Sequence, residues 1–226
     1  MKYEKIVKAK FKSRPNRFIA IVEIDGREET VHVKNTGRCR ELLVEGATVF
    51  LEEGSNPERK TKYDLVAVIK NGTLVNIDSQ APNKVAVEFL RECGLFSKDA
   101  EIKQEVTYKS SRFDIFVSDK ERKAFIEVKG VTLEEKGIAM FPDAPTERGV
   151  KHLKELIEAK RDGYESYILF VIQMKGIKYF TPNYNTHLEF GNTLKVAKEN
   201  GVEILAYDCL VAEDGFKIDA SVSVRL

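Results

Sequence analysis

The sequence predicts an α/β (α+β) chain in two unlike parts: a small OB-like β-barrel over residues 1–80, then a mixed sheet flanked by helices over residues 81–226. Three observations carry this. About five short strand patterns, divided by turn signals, occupy the first stretch of roughly 75 residues, as in a small barrel. The texture changes near residue 79, where Ser79-Gln80-Ala81-Pro82 opens an apolar pattern at helical spacing. Beyond it, helix and strand patterns alternate.

The strands follow in order. Residues 17–24 alternate apolar and polar and end at Asp25-Gly26, a tight-turn pair, and 29–33 return. Residues 34–43 contain Gly37 and a short helical turn. Residues 47–53 and 63–70 are further strands, and Asn71-Gly72 turns the chain into the last one. After the helix that opens at Pro82 and closes at Gly94, strands are expected at about 101–108, 112–118 and 123–129. Residues 146–163 form an amphipathic helix with Thr146 as N-cap and Val150, Leu153, Leu156 and Ile157 as its apolar stripe. Residues 166–173 and 202–210 are nearly all apolar, as buried central strands should be, with a helix at about 186–200 between them. The last stretch, from Phe216, is an edge strand or hairpin that could pair with a second copy, so a homodimer is open.

Composition narrows the classes. Of 226 residues, 42% are hydrophobic and 32% charged, which suits a globular chain rather than a disordered one. No apolar run reaches the length of a membrane span, and the charged N-terminus has no apolar core of a signal peptide. The three cysteines are far apart and form no CxxC, which fits a cytoplasmic protein without a disulfide framework. Net charge is only +1, but seven basic residues stand against one acid through Arg17. That segment reads equally as a phosphate-contacting arm or as an edge strand guarded by lysines.

The chemistry concentrates in two strands. In 124–130, Ile126 and Val128 share one face and Phe125, Glu127 and Lys129 the other. In 112–117, Phe113, Ile115 and Val117 share one face and Arg112, Asp114 and Phe116 the other. A short polar turn joins the two strands, so they should be antiparallel neighbours with Asp114, Glu127 and Lys129 emerging together. Two close carboxylates need a cation between them, and Mg²⁺ or Mn²⁺ fits oxygen ligands. Such an ion activates water towards a phosphodiester, and a lysine stabilises the charge that builds on phosphate. The Glu-x-Lys spacing alone says nothing, for it recurs at Glu58, Glu101, Glu121, Glu134 and Glu158 in ordinary solvated settings. The apolar strand and the acid on its neighbour set Glu127 apart.

Weaker candidates are Glu88 on the first helix and Glu105 on the preceding strand as further acids, and Gln173, which ends a buried strand and needs a polar partner. Arg148, Lys151 and His152 lie on one helix, facing phosphate or plain solvent.

Several blocks resemble the sugar fermentation stimulation protein A family: SSRFDIFV, AFIEVKGVTL and, above all, GIAMFPDAPTERGVKHLKEL, with RFIAIVEIDG and VKNTGRCREL in the first half. The resemblance implies an N-terminal OB-fold joined to a PD-(D/E)xK nuclease-like domain. It also implies binding of single- or double-stranded DNA with little sequence preference, and a regulatory link to maltose metabolism. Its metal-binding acids match Asp114 and Glu127, aided by the Val128 carbonyl, and its lysine matches Lys129; Glu88 matches less closely. The proline usual before the first acid is replaced by Phe113. Asn35, Thr36, Gly37, Arg38 and Arg40 fall in the family's loop block. With Arg17 and Arg112 they are expected to contact nucleic acid, the loop presenting amides and guanidinium groups to phosphate.

Overall fold

The structure, a computed structural model, describes residues 1–35, 37–56 and 58–226. Thr36, one of the loop residues expected to contact nucleic acid, lies outside the described residues.

The first sheet is built from β1 (Ile6–Ser13), β2 (Ile19–Ile24), β3 (Arg27–Val33), β4 (Thr48–Glu53), β5 (Tyr63–Lys70) and β6 (Thr73–Asn76). Its order is β3-β2-β1-β4-β5-β6, and a parallel pairing of β3 with β5 closes the first five strands into a barrel. Alternation explains the closure: Ala20, Val22, Val31 and Val33 point inward, and Val49, Leu51, Leu65 and Val68 meet them. The basic N-terminal segment is neither an arm nor an edge. β1 is a central strand that pairs with β2 and β4, burying Ala9 and Phe11. Its lysines could not reveal this, because they are simply its outward half.

The second part contains α1 (Ala81–Glu92), β7 (Glu101–Tyr108), β8 (Ser111–Asp119), β9 (Arg122–Val131), β10 (Leu133–Glu135), β11 (Ile138–Phe141), α2 (Glu147–Arg161), β12 (Glu165–Ile172), β13 (Tyr179–Pro182), α3 (Leu188–Glu199), β14 (Glu203–Ala212) and β15 (Gly215–Ser221). The main sheet runs β15-β14-β12-β9-β8-β7, with β12 parallel to both β9 and β14. α1 covers one face with Val85 and Leu90; α2 and α3 cover the other with Leu153, Leu156 and Leu194. Thr146 caps α2 by accepting the Gly149 N–H at 3.1 Å. The last strand folds back antiparallel on β14. A small third sheet, β10-β11-β13, has no strong sequence signal: β10 has three residues and β13 ends in proline. No helix of the described residues is long and apolar enough to cross a membrane.

One stretch departs from simple alternation. Phe113 was expected to share a face with Ile115 and Val117. It packs instead under α2, its ring centroid 5.2 Å from that of Phe125, while Ile115 and Val117 face α1. Paired residues of β8 and β9 run only as far as Ile115↔Ile126, and on β7 the residue opposite Asp114, Glu105, has φ +58°. The strands twist apart here, so Asp114 stands where the ladder opens.

Candidate metal and phosphodiester site

The two acids of the predicted trio are held from opposite sides of the sheet, Asp114 from α1 and Glu127 from α2. Asp114 Oδ1 accepts a bond from Asn83 Nδ2 on α1 at 2.9 Å, and Oδ2 accepts the Val128 N–H at 2.8 Å. The parted strands leave that N–H for the carboxylate. Glu127 is 2% exposed. Its Oε1 accepts from Lys129 Nζ at 2.6 Å and from His152 Nδ1 on α2. Its Oε2 is buried with no partner. Arg148 Nε donates to His152 Nε2 at 3.3 Å, so the proton of the neutral ring sits on Nδ1 and points at Glu127.

The two acids are driven apart electrostatically. Burial, then the nearby Glu127 charge, raises Asp114 above the usual carboxylate range, against the Val128 N–H, Lys129 and Asn83. Glu127 is more deeply buried, which alone would raise it. The His152 bond and the Lys129 charge outweigh burial and hold it below its ordinary value. One carboxylate that resists ionisation stands beside another with an unpartnered oxygen, a donor set of hard oxygens that suits a divalent cation.

The remaining candidates separate. His152 is buried against Glu127 and does not share an outer face with Arg148 and Lys151, which are exposed. Lys151 donates to the Ser110 carbonyl. Glu88 is exposed and pairs with the Met1 ammonium at 2.7 Å; the α1 side chain that reaches Asp114 is Asn83, five residues earlier. Glu105 and Arg112 form an exposed pair at 3.5 Å. Gln173 finds its partners across the domain junction, donating to Asn76 O, Asn76 Oδ1 and Asp78 O. Asn35 donates its side-chain amide to Ile77 O and accepts the Gly37 N–H, bonds that shape the loop. Arg17, Arg38 and Arg40 line one hollow with Arg14 and Gly37. Sequence reasoning missed Asn83 altogether. A polar residue one position after Pro82 in the first turn of a helix carries no signal until the strand beneath it is placed.

A second ligand-like trio, Glu147, His187 and Glu189, gathers at the starts of α2 and α3. His187 Nδ1 accepts the Thr146 N–H, which leaves the ring proton on Nε2, facing Glu147 at 3.4 Å. That tautomer does not offer Nε2 to a metal.

A closed five-strand barrel in OB order, joined to a helix-flanked sheet that carries an acid–acid–lysine cluster, defines the class: a two-domain OB-barrel protein. The chain belongs to the sugar fermentation stimulation protein (SfsA) family. The model of the sugar fermentation stimulation protein RE domain matches residues 80–215, and that of the SfsA N-terminal OB domain matches 13–77. The sugar fermentation stimulation protein homolog of Clostridium beijerinckii is 58% identical over all of both chains. The homolog of Desulfitobacterium hafniense is 59% identical over all of this chain and 99% of its own. Among solved structures, Pyrococcus furiosus SfsA in complex with Ca²⁺ aligns over 100% of this chain and 98% of its own, with a TM-score of 0.87 at 29% identity.

Proposed function

We propose that the chain is a divalent-metal-dependent phosphodiesterase acting on DNA with little sequence preference. The observation that carries this is the unpartnered buried Glu127 Oε2 beside a carboxyl, Asp114, whose ionisation is opposed by burial and by Glu127. Asp114, Glu127 and the Val128 carbonyl are the groups that would hold Mg²⁺ or Mn²⁺. When bound, such an ion lowers the pKa of a coordinated water and draws charge from the phosphate. The chain's own residues supply position. Asn83 and the Val128 N–H aim Asp114, His152 fixes Glu127, and Lys129, 17% exposed at its side chain, presents an ammonium to the reacting phosphate and water. That the Pyrococcus relative was solved with Ca²⁺, another cation of oxygen-ligand preference, supports a divalent-ion site in the family.

A second reading, a DNA-binding regulator of sugar metabolism that does not cut, is favoured by one observation. Lys129 and His152 already balance Glu127 without any ion. Labelled single-stranded, duplex and branched DNA and RNA, incubated with Mg²⁺ or Mn²⁺, separate the two. Metal-dependent cleavage by the wild type, lost in Asp114→Ala, is the expected result. No cleavage of any substrate, or equal cleavage by the variant, sinks the phosphodiesterase reading and leaves the regulator.

A further inference from the structure

The ammonium of the acid cluster points at an acid rather than at solvent. Glu127 and Lys129 are two residues apart on one face of β9, and side chains on a strand stand roughly perpendicular to the sheet. A lysine stem in that direction would carry its charge away from its neighbour. Instead the stem bends back, and Nζ lies 2.6 Å from Glu127 Oε1, with the Lys129 side chain 17% exposed.

The bonds of Glu127 are shared unevenly. Oε1 receives two donors, Lys129 Nζ and His152 Nδ1, while Oε2 is buried and has none. Asp114 takes its bonds from neutral donors, Asn83 Nδ2 and the Val128 N–H. Among the described residues, Lys129 is therefore the one ammonium or guanidinium in contact with either acid, and Glu127 is its one hydrogen-bonded partner. A single ammonium faces two carboxylates, and it rests on one of the groups that would hold a divalent ion.

We propose that Lys129 is the resident counter-ion of the site, displaced from Glu127 when a divalent cation enters, and that it thereby sets how strongly the site takes metal. The inference rests on the metal-site reading of Asp114 and Glu127 and gives the lysine a second role there. An ammonium and a divalent ion on one buried carboxylate repel each other. A monovalent ion offers Glu127 no more than Lys129 already does, so the lysine also selects for double charge. Once displaced, the ammonium swings outward on its flexible four-carbon stem and is free to meet a phosphate. Metal occupancy and the readiness of Lys129 then become one event.

The first test is Mn²⁺ affinity, read from the free Mn²⁺ signal in electron paramagnetic resonance. Lys129→Met, which keeps the length and removes the charge, binds Mn²⁺ at least about tenfold more tightly than wild type. Lys129→Arg, which keeps the charge, shows no gain. Equal affinity in wild type and Lys129→Met overturns the proposal. So does an equal gain in both variants, which would mark relief of crowding rather than of charge. The second test uses wild type alone and stands even if a variant fails to fold. Acylation of Lys129 by an amine reagent, read by mass spectrometry against the exposed Lys198 of α3, is faster in Mg²⁺ than in EDTA. A rate that is equal or slower in Mg²⁺ overturns the release of the ammonium. Neither test reads cleavage. Mn²⁺ binding by wild type without a gain in Lys129→Met sinks this inference and leaves the metal site standing, whereas no binding by either protein sinks both.

Discussion

The hydrogen bond from His152 to Glu127 decides how one carboxylate meets the site, because it fixes Oε1 and leaves Oε2 to whatever else arrives. A partner behind a ligand is worth roughly 10–100-fold in metal affinity. His152→Asn should therefore lower Mn²⁺ affinity within that range while the chain stays folded, as read from the free Mn²⁺ signal in electron paramagnetic resonance. Unchanged affinity would reduce His152 to a packing partner of Phe113, whose ring centroid lies 6.0 Å away. At this scale the sequence was informative about residue identity and poor about contacts. Glu127 and Lys129 stood out because charge interrupts an apolar strand. His152 read as an outward-facing helix residue, towards phosphate or solvent, because Arg148 and Lys151 lie beside it, and only the packed sheet reveals that it points inward.

At the scale of the element, β9 has little room. Gly130 lies against two neighbours: a Cβ there would stand 2.5 Å from Gln173 Oε1 and 2.8 Å from Pro82 Cγ. Pro82 belongs to the first turn of α1, so relief requires moving a helix start. Overpacking of this kind costs about 1–3 kcal/mol. Gly130→Ala should lower the thermal midpoint by several degrees, measured by calorimetry, and a midpoint equal to wild type would mean the junction yields freely. The barrel offers a pH counterpart. Burial pushes Asp64 up, but bonds from Arg59 and His32 and the charge of Lys34 outweigh it and hold its carboxyl below the ordinary value. A depressed folded pKa stabilises the native state above the unfolded value of about 3.9 and loses that contribution as pH falls through the folded pKa. Asp64→Asn should thus be less stable than wild type at neutral pH, with the gap closing in acid; a gap that is constant from neutral to acid pH argues against this linkage. Strands with regular alternation were legible from sequence. The twist at Asp114 was not, since nothing local announces that Glu105 on a neighbouring strand will adopt a left-handed backbone.

Across the whole molecule, the two-part layout was readable because each part has its own periodicity, strands of period two before residue 80 and long helical stripes after it. How the parts join was not, because the joining groups are single polar residues. The two amide protons of Gln173 are shared among three acceptors, Asn76 O, Asn76 Oδ1 and Asp78 O, and Tyr3 packs its hydroxyl between Asn76 and Asp78. Gln173→Ala strands buried acceptors, at about 1–3 kcal/mol for each unsatisfied group. We expect unfolding of the variant to split or broaden in calorimetry relative to wild type, the barrel and the sheet domain melting separately; a profile superimposable on that of the wild type would show that the apolar contacts alone hold the halves together.

The junction is stitched twice, for the chain also begins on the far side. Lys2 bridges to Gly215 and Tyr3 N–H donates to Asp214 before β1 enters the barrel. A chain severed between Asp78 and Ser79 would leave each fragment carrying half of two complementary seams. Both seams would then hold the two pieces together without a covalent link, and co-purification of the two fragments would show it.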